Sequence, residues 1–149
     1  MEHYELDARS ARREILRGHV SLGGRNPAGN TLAVTSSHLE FDGAPVVPAM
    51  GEFQYSRYPY LAWDEELLKM KMGGLTIVAS YVFWIHHEEE EGRFDWSENR
   101  NVRYFVELCR RHGLKVLLRI GPFAHGEVRN GALPDWLYGQ PFEARSNDP

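Results

Sequence analysis

Side chains able to do polar chemistry gather in three short stretches of this sequence. The first holds Glu52, Gln54, Tyr55 and Arg57, the second Tyr81, Trp84, His86, His87 and Glu88, and the third Arg119, His125, Glu127 and Arg129. Aromatic rings stack on the apolar faces of sugars, and carboxylates, imidazoles and guanidinium groups hydrogen-bond to hydroxyls, so the mixture suits a carbohydrate. By residue type alone it suits other polar ligands equally well.

Each group also has a purely structural reading. Glu127 could be a loop carboxylate paired with Arg119 or Arg129, since structural ion pairs are common. Adjacent His86 and His87 at a strand end would point to opposite sides of the chain, which argues against a shared metal ion, and no metal site is expected. The run 88–91 reads as a solvated loop, because no calcium-loop pattern of Asp and Gly accompanies it. Trp63, Met70 and Met72 read as helix packing. Cys109 is the only cysteine, cannot form an internal disulfide, and lies on an apolar helical stripe that predicts burial.

The elements that must position these groups follow from periodicity. Residues 1–30 are polar, with a short helical pattern over residues 9–16 and then turn signals at Gly23, Gly24, Asn26, Pro27 and Gly29, and they are read as an N-terminal extension. Residues 32–35 and 39–41 alternate, Asp42 and Gly43 form a two-residue turn and Val46 and Val47 resume, which predicts a β-hairpin leading into the first strand of the main fold. Trp63, Leu67 and Met70 recur at helical spacing before Gly73 and Gly74. A β-branched run over 76–82 predicts a strand. Ser97 is the expected N-cap of a second helix whose stripe is Val102, Phe105, Val106 and Cys109, closed by Gly113. Residues 115–120 predict another strand.

Strands alternating with helices, and apolar throughout, indicate an α/β fold with a parallel sheet. A dinucleotide-binding sheet would need Gly-x-Gly-x-x-Gly after its first strand, whereas residues 51–59 carry aromatic and polar side chains. A barrel is therefore the expected arrangement, with the three polar stretches at the carboxyl ends of its strands, where barrel active sites lie.

A net charge of −4 over 149 residues argues against nucleic acid or an anionic membrane as partner, since both require a basic face. The one basic cluster, Arg9, Arg12, Arg13 and Arg17, is interleaved with Glu2, Glu5, Asp7 and Glu14 and reads as a solvated helical face. No run approaches the length of a membrane span and the first residues lack a secretory apolar core, so a cytoplasmic location is expected.

Three segments resemble signatures of the family 35 glycoside hydrolases, enzymes of the β-galactosidase type. They are Gly51-Glu52-Phe53-Gln54-Tyr55-Ser56-Arg57, then Tyr81-Val82-Phe83-Trp84 followed by His87-Glu88, and then Arg119-Ile120-Gly121-Pro122-Phe123 running through Glu127 to Leu133-Pro134-Asp135-Trp136-Leu137. The resemblance covers residues 39–137 in matching order and spacing. Several positions depart from the common pattern: Ile85 stands where Asn usually follows the Trp, Glu89 replaces a Pro, His125-Gly126 replace Cys-Ala, and Val128 replaces a Trp. The His-Gly-Glu-Val form resembles a bacterial subset of the family.

The resemblance implies a (β/α)8 barrel, of which residues 31–149 would supply about the first three strands, truncated, behind an N-terminal hairpin. It implies retaining, exo-acting hydrolysis of a terminal β-linked galactose, with no cofactor. Tyr81, His125, Gly126 and Glu127 would line the subsite for that sugar, with Tyr55, Arg57, Trp84 and His87 in support. Retaining hydrolysis uses two carboxylates about 5–5.5 Å apart. The family places the acid on a Glu after an Asn at the fourth strand and the nucleophile on a later Glu, so no catalytic residue is expected within these 149. A complete barrel needs roughly 250 residues. The alternative is a non-catalytic carbohydrate-binding or interaction fragment using Tyr81, Trp84 and Glu127 without chemistry.

Overall fold

The computed structural model describes residues 3–5, 13–141, 143 and 146–147. The chain divides into two compact units, Met1–Val47 and Pro48–Pro149.

The first unit is a four-stranded antiparallel sheet in the order β1 (Gly23–Arg25), β2 (Thr31–Val34), β3 (Leu39–Phe41) and β4 (Ala44–Val46). Asp42 and Gly43 both take positive φ, 51° and 77°, as the tight turn between β3 and β4 requires. Strand β1 lies inside the stretch read from sequence as an extension, and the structural boundary falls after Val47 rather than after Asn30. The reason is that β1 is short, fully exposed and Gly-rich, so it carries no alternating apolar signal. Of the helix expected over residues 9–16, residues 9–12 lie outside the described residues, and 13–16 form no helical turn.

The second unit is an α/β fold. Its parallel sheet runs β5 (Met50–Glu52), β6 (Ile77–Val82), β7 (Lys115–Ile120) in sequence order. Helix α1 (Trp63–Met72) connects β5 to β6; the single helical turn α2 (Trp84–His87) and helix α3 (Val102–Arg111) connect β6 to β7. Gly74 at φ 90° and Gly113 at φ 65° take the left-handed conformation that ends α1 and α3.

Trp63 and Leu67 of α1 and Phe105, Leu108 and Cys109 of α3 bury together against Val78 of β6, so both helices cover one face of the sheet. Burial pushes the Cys109 thiol up to about 12. Met72, expected in this packing, is 79% exposed at the end of α1. The cap of α3 is Asn101, whose side chain accepts from the Tyr104 amide, and not Ser97. Ser97 lies before a separate 3-10 turn over Glu98–Arg100 that precedes α3, and its hydroxyl donates to Asp95 Oδ1 at 2.7 Å.

Strand register places Glu52, Ala79, Leu117 and Met50, Ile77, Lys115 in two rows on the face opposite the helices, with Tyr81 and Arg119 in a third. On that face Met50 is 56% and Leu117 is 42% exposed. No described helix is long and apolar enough to cross a membrane.

Candidate active site

Because the strands are parallel, their carboxyl ends bring the three polar stretches to one rim. Tyr81, near the end of β6, is held from three sides. Its amide donates to Gln54 Oε1 at 3.2 Å, the Arg119 guanidinium lies 3.8 Å from its ring centroid, and its ring stacks with Phe83 at 5.6 Å. Its hydroxyl makes no hydrogen bond among the described residues. Arg119 in turn forms an ion pair with Glu52 through Nη2; the contact lacks hydrogen-bond geometry, and Arg119 Nε also has no hydrogen-bond partner. The site floor therefore carries a guanidinium, buried at Nε and Nη2, that is only partly satisfied.

The loop after β7 is seated on this base by close approach. A Cβ at Gly126 would lie 2.8 Å from Phe83 Cε1 and 3.1 Å from Tyr81 Cδ2, so only glycine lets the backbone rest on the two rings. Arg57, from the loop after β5, reaches across and donates through Nη2 to the carbonyls of Gly126 at 2.5 Å and Glu127 at 2.9 Å, with its guanidinium 5.2 Å from the Phe83 ring centroid. Farther on, Arg129 pairs with Asp135 at 2.7 Å and Asn130 donates to the same carboxylate at 2.6 Å.

The partners that could have neutralised Glu127 are thus engaged elsewhere, Arg119 with Glu52 and Arg129 with Asp135. Glu127 takes a positive φ of 46°, is exposed, and its carboxylate makes no hydrogen bond or ion pair among the described residues. His125 is also exposed, its ring edge-on to Phe123 at 5.1 Å. Tyr81, Gly126, Glu127 and Arg57 are therefore brought together, with His125 on the same loop.

The other predicted residues form a support beneath. Tyr55 and His87 are buried and joined at 2.7 Å. His87 Nδ1 faces the Asp95 carbonyl at 3.1 Å, and since a carbonyl only accepts, Nδ1 carries the proton and Nε2 accepts from the Tyr55 hydroxyl. Burial lowers the pKa of His87, against a smaller upward pull from that carbonyl, and burial raises that of Tyr55. His86, lowered by burial and by Arg100, belongs to a separate neighbourhood. Trp84 packs edge-on against Trp136 at 5.7 Å and donates to Glu88 Oε2.

Glu88 corrects the reading of residues 88–91 as a solvated loop. It is 6% exposed; Oε1 accepts from the Gly92 amide at 2.7 Å, and its carbonyl accepts from Trp136 Nε1 at 3.0 Å. The Trp84-to-Glu88 spacing of four residues was the available signal, since one helical turn makes them neighbours. Phe83 was also missed as the platform under Gly126, although it stands two residues from Tyr81.

The sequence model of the glycosyl hydrolases family 35 matches residues 38–149. The chain belongs to this family. The family 35 chain is 40% identical over 130 residues to a β-galactosidase of Canis lupus familiaris, covering 85% of this chain and 20% of that protein. It is 43% identical over 112 residues to an exo-β-D-glucosaminidase of Thermococcus kodakarensis, covering 72% of this chain and 14% of the other. Among solved structures it resembles a β-galactosidase from the psychrophilic Marinomonas ef1, with a TM-score of 0.52 at 20% identity, over 62% of this chain and 13% of that one. The chain thus spans a fifth or less of the proteins it resembles.

Proposed function

We propose that this chain supplies the first three strands of a (β/α)8 barrel in a retaining exo-glycosidase that releases a terminal β-linked galactose. The barrel is supported by three parallel strands in sequence order, with both long helices on one face and exposed Met50 and Leu117 on the other. Within it, Tyr81, His125, Gly126 and Glu127 face the terminal sugar, Arg57 holds their loop, and Tyr55, Trp84 and His87 keep the base rigid. The proton donor and the nucleophile are assigned to carboxylates on later strands, the first following an Asn at the end of the fourth.

The observation that carries this reading is the unpaired carboxylate of Glu127, held by a clamped backbone beside an aromatic platform. A carboxylate accepts hydrogen bonds from two sugar hydroxyls, and each charge-assisted bond contributes about 1.5–3 kcal/mol. In the whole protein, Glu127→Gln should lower kcat/KM for an aryl β-galactoside at least about tenfold. Unchanged kinetics would remove Glu127 from the sugar subsite. Absence of any glycosidase activity in the whole protein, with sugar binding retained, would favour the non-catalytic reading instead.

A second terminal sugar, glucosamine, is favoured by the 43% identity to an exo-β-D-glucosaminidase. Comparing aryl β-galactoside with aryl β-glucosaminide hydrolysis separates the two.

A further inference from the structure

Arg119 keeps two buried nitrogens, Nε and Nη2, without a hydrogen-bond partner among the described residues. Buried polar atoms left this way cost stability and call for a compensating role. We propose that Arg119 is a positioning residue of the glycosidase reaction: it holds the ring of Tyr81 so that the phenolic O–H is aimed at the terminal sugar. This role rests on the assignment of Tyr81 to the sugar subsite above and adds to it the residues that orient the tyrosine.

Three adjacent strands build the arrangement. Register sets Tyr81 of β6 directly beside Arg119 of β7, and Glu52 of β5 beside Ala79, two residues earlier on the same face of β6. From the two outer strands, Arg119 and Glu52 meet in an ion pair. Gln54, just after β5, closes a circuit: its Nε2 donates to Glu52 Oε1, and its Oε1 accepts from the Tyr81 amide at 3.2 Å. Glu52 thus fixes the guanidinium, while Gln54 ties Glu52 to the backbone that carries the tyrosine. The guanidinium carbon lies 3.8 Å from the Tyr81 ring centroid, well inside the roughly 6 Å over which an aromatic face attracts a cation.

What the cation fixes is the ring plane. Rotation about χ2 of a tyrosine is soft, with broad two-fold wells, whereas the hydroxyl proton stays near the ring plane because the phenolic oxygen is conjugated with the ring. A guanidinium over the face therefore sets the direction in which Tyr81 donates. Phe83, stacked on the same ring at 5.6 Å and 17°, limits the same rotation. The Tyr81 hydroxyl makes no hydrogen bond among the described residues, which leaves it for a sugar oxygen.

A mutant cycle in the whole protein tests this, read as kcat/KM for the aryl β-galactoside or aryl β-glucosaminide that it cleaves. Arg119→Met keeps an apolar stem but no cation. It should lower kcat/KM about tenfold when Tyr81 is present, and less than about twofold in a Tyr81→Phe background, where no hydroxyl is left to aim. Glu52→Gln releases Arg119 from its ion pair while keeping an acceptor for Gln54. It should show the same dependence on the tyrosine hydroxyl, and it carries the test should Arg119→Met fail to fold. A loss of equal size in both backgrounds, or no loss in either, would overturn the role while leaving Tyr81 in the subsite: Arg119 would then act on the sugar directly or only support the fold. Unchanged kinetics in Tyr81→Phe alone would remove Tyr81 from the subsite, and the role of Arg119 with it.

Discussion

Arg57 and Glu127 are joined through the backbone: the guanidinium donates to the Glu127 carbonyl at 2.9 Å and leaves the carboxylate of Glu127 unengaged. One residue thereby fixes where the carboxylate begins without consuming it. Replacement of Arg57 by Ala should raise KM and lower kcat/KM of the whole enzyme about tenfold or more, at the level of one charge-assisted hydrogen bond. Arg57→Lys should recover only part, since its ammonium can donate to the two carbonyls that Nη2 holds but cannot lie flat against the Phe83 ring as the guanidinium does. Full recovery by lysine in steady-state kinetics would mean that charge and hydrogen bonding alone, and not the planar guanidinium, support the loop.

Gly126→Ala should lose sugar binding and cost about 1–3 kcal/mol of stability through overpacking. The added methyl would stand 2.8 Å from a ring carbon of Phe83, which is itself fully buried and has nowhere to move. Combining it with Phe83→Leu should restore part of the stability in a denaturant titration. Simple additivity of the two losses would argue against direct contact.

Stability should fall in mild acid. Burial lowers the folded-state pKa of His87, and burial with Arg100 lowers that of His86, so the unfolded chain takes up protons first. The contribution is complete above the ordinary imidazole value of about 6.5 and is lost progressively as pH falls from there through the lower folded value. A His87→Gln variant should be less stable at pH 7 yet lose less on going from pH 7 to pH 5.5. Thermal unfolding at the two pH values measures this; a wild-type curve flat over that interval would contradict the buried, neutral imidazole.

As an isolated 149-residue chain the protein should self-associate and show no turnover of an aryl β-galactoside. Strands β5 and β7 are both sheet edges, and Met50 and Leu117 stand exposed on the uncovered face. Light scattering after size-exclusion chromatography should report oligomers. A sharp, cooperatively unfolding monomer would mean that this face needs no further cover.

Local periodicity was enough to read the two long helices and the strands β6 and β7 of the second unit from the sequence, because each depends on neighbours within one or two turns, whereas the three-residue β5 is too short to carry such a pattern. The strand over Lys115–Ile120 and the burial of Cys109 are examples, as is the family itself, whose motifs keep their spacing along the chain. Spatial pairing lay outside what the sequence determined. Arg119 could have served Glu127 as well as Glu52, and only the parallel register, which sets Glu52 beside Ala79 and Tyr81 beside Arg119, brings the guanidinium to Glu52. Ser97 and Asn101 were both competent caps, and Asn101 is the one that stands directly before α3, because the 3-10 turn over Glu98–Arg100 sets Ser97 off from it. The burial of Glu88 likewise depends on Trp136, 48 residues away, closing over it. Side-chain chemistry lists the partners a residue can take, whereas the tertiary structure selects among them by distance, and a charged group's energy depends on which one it meets.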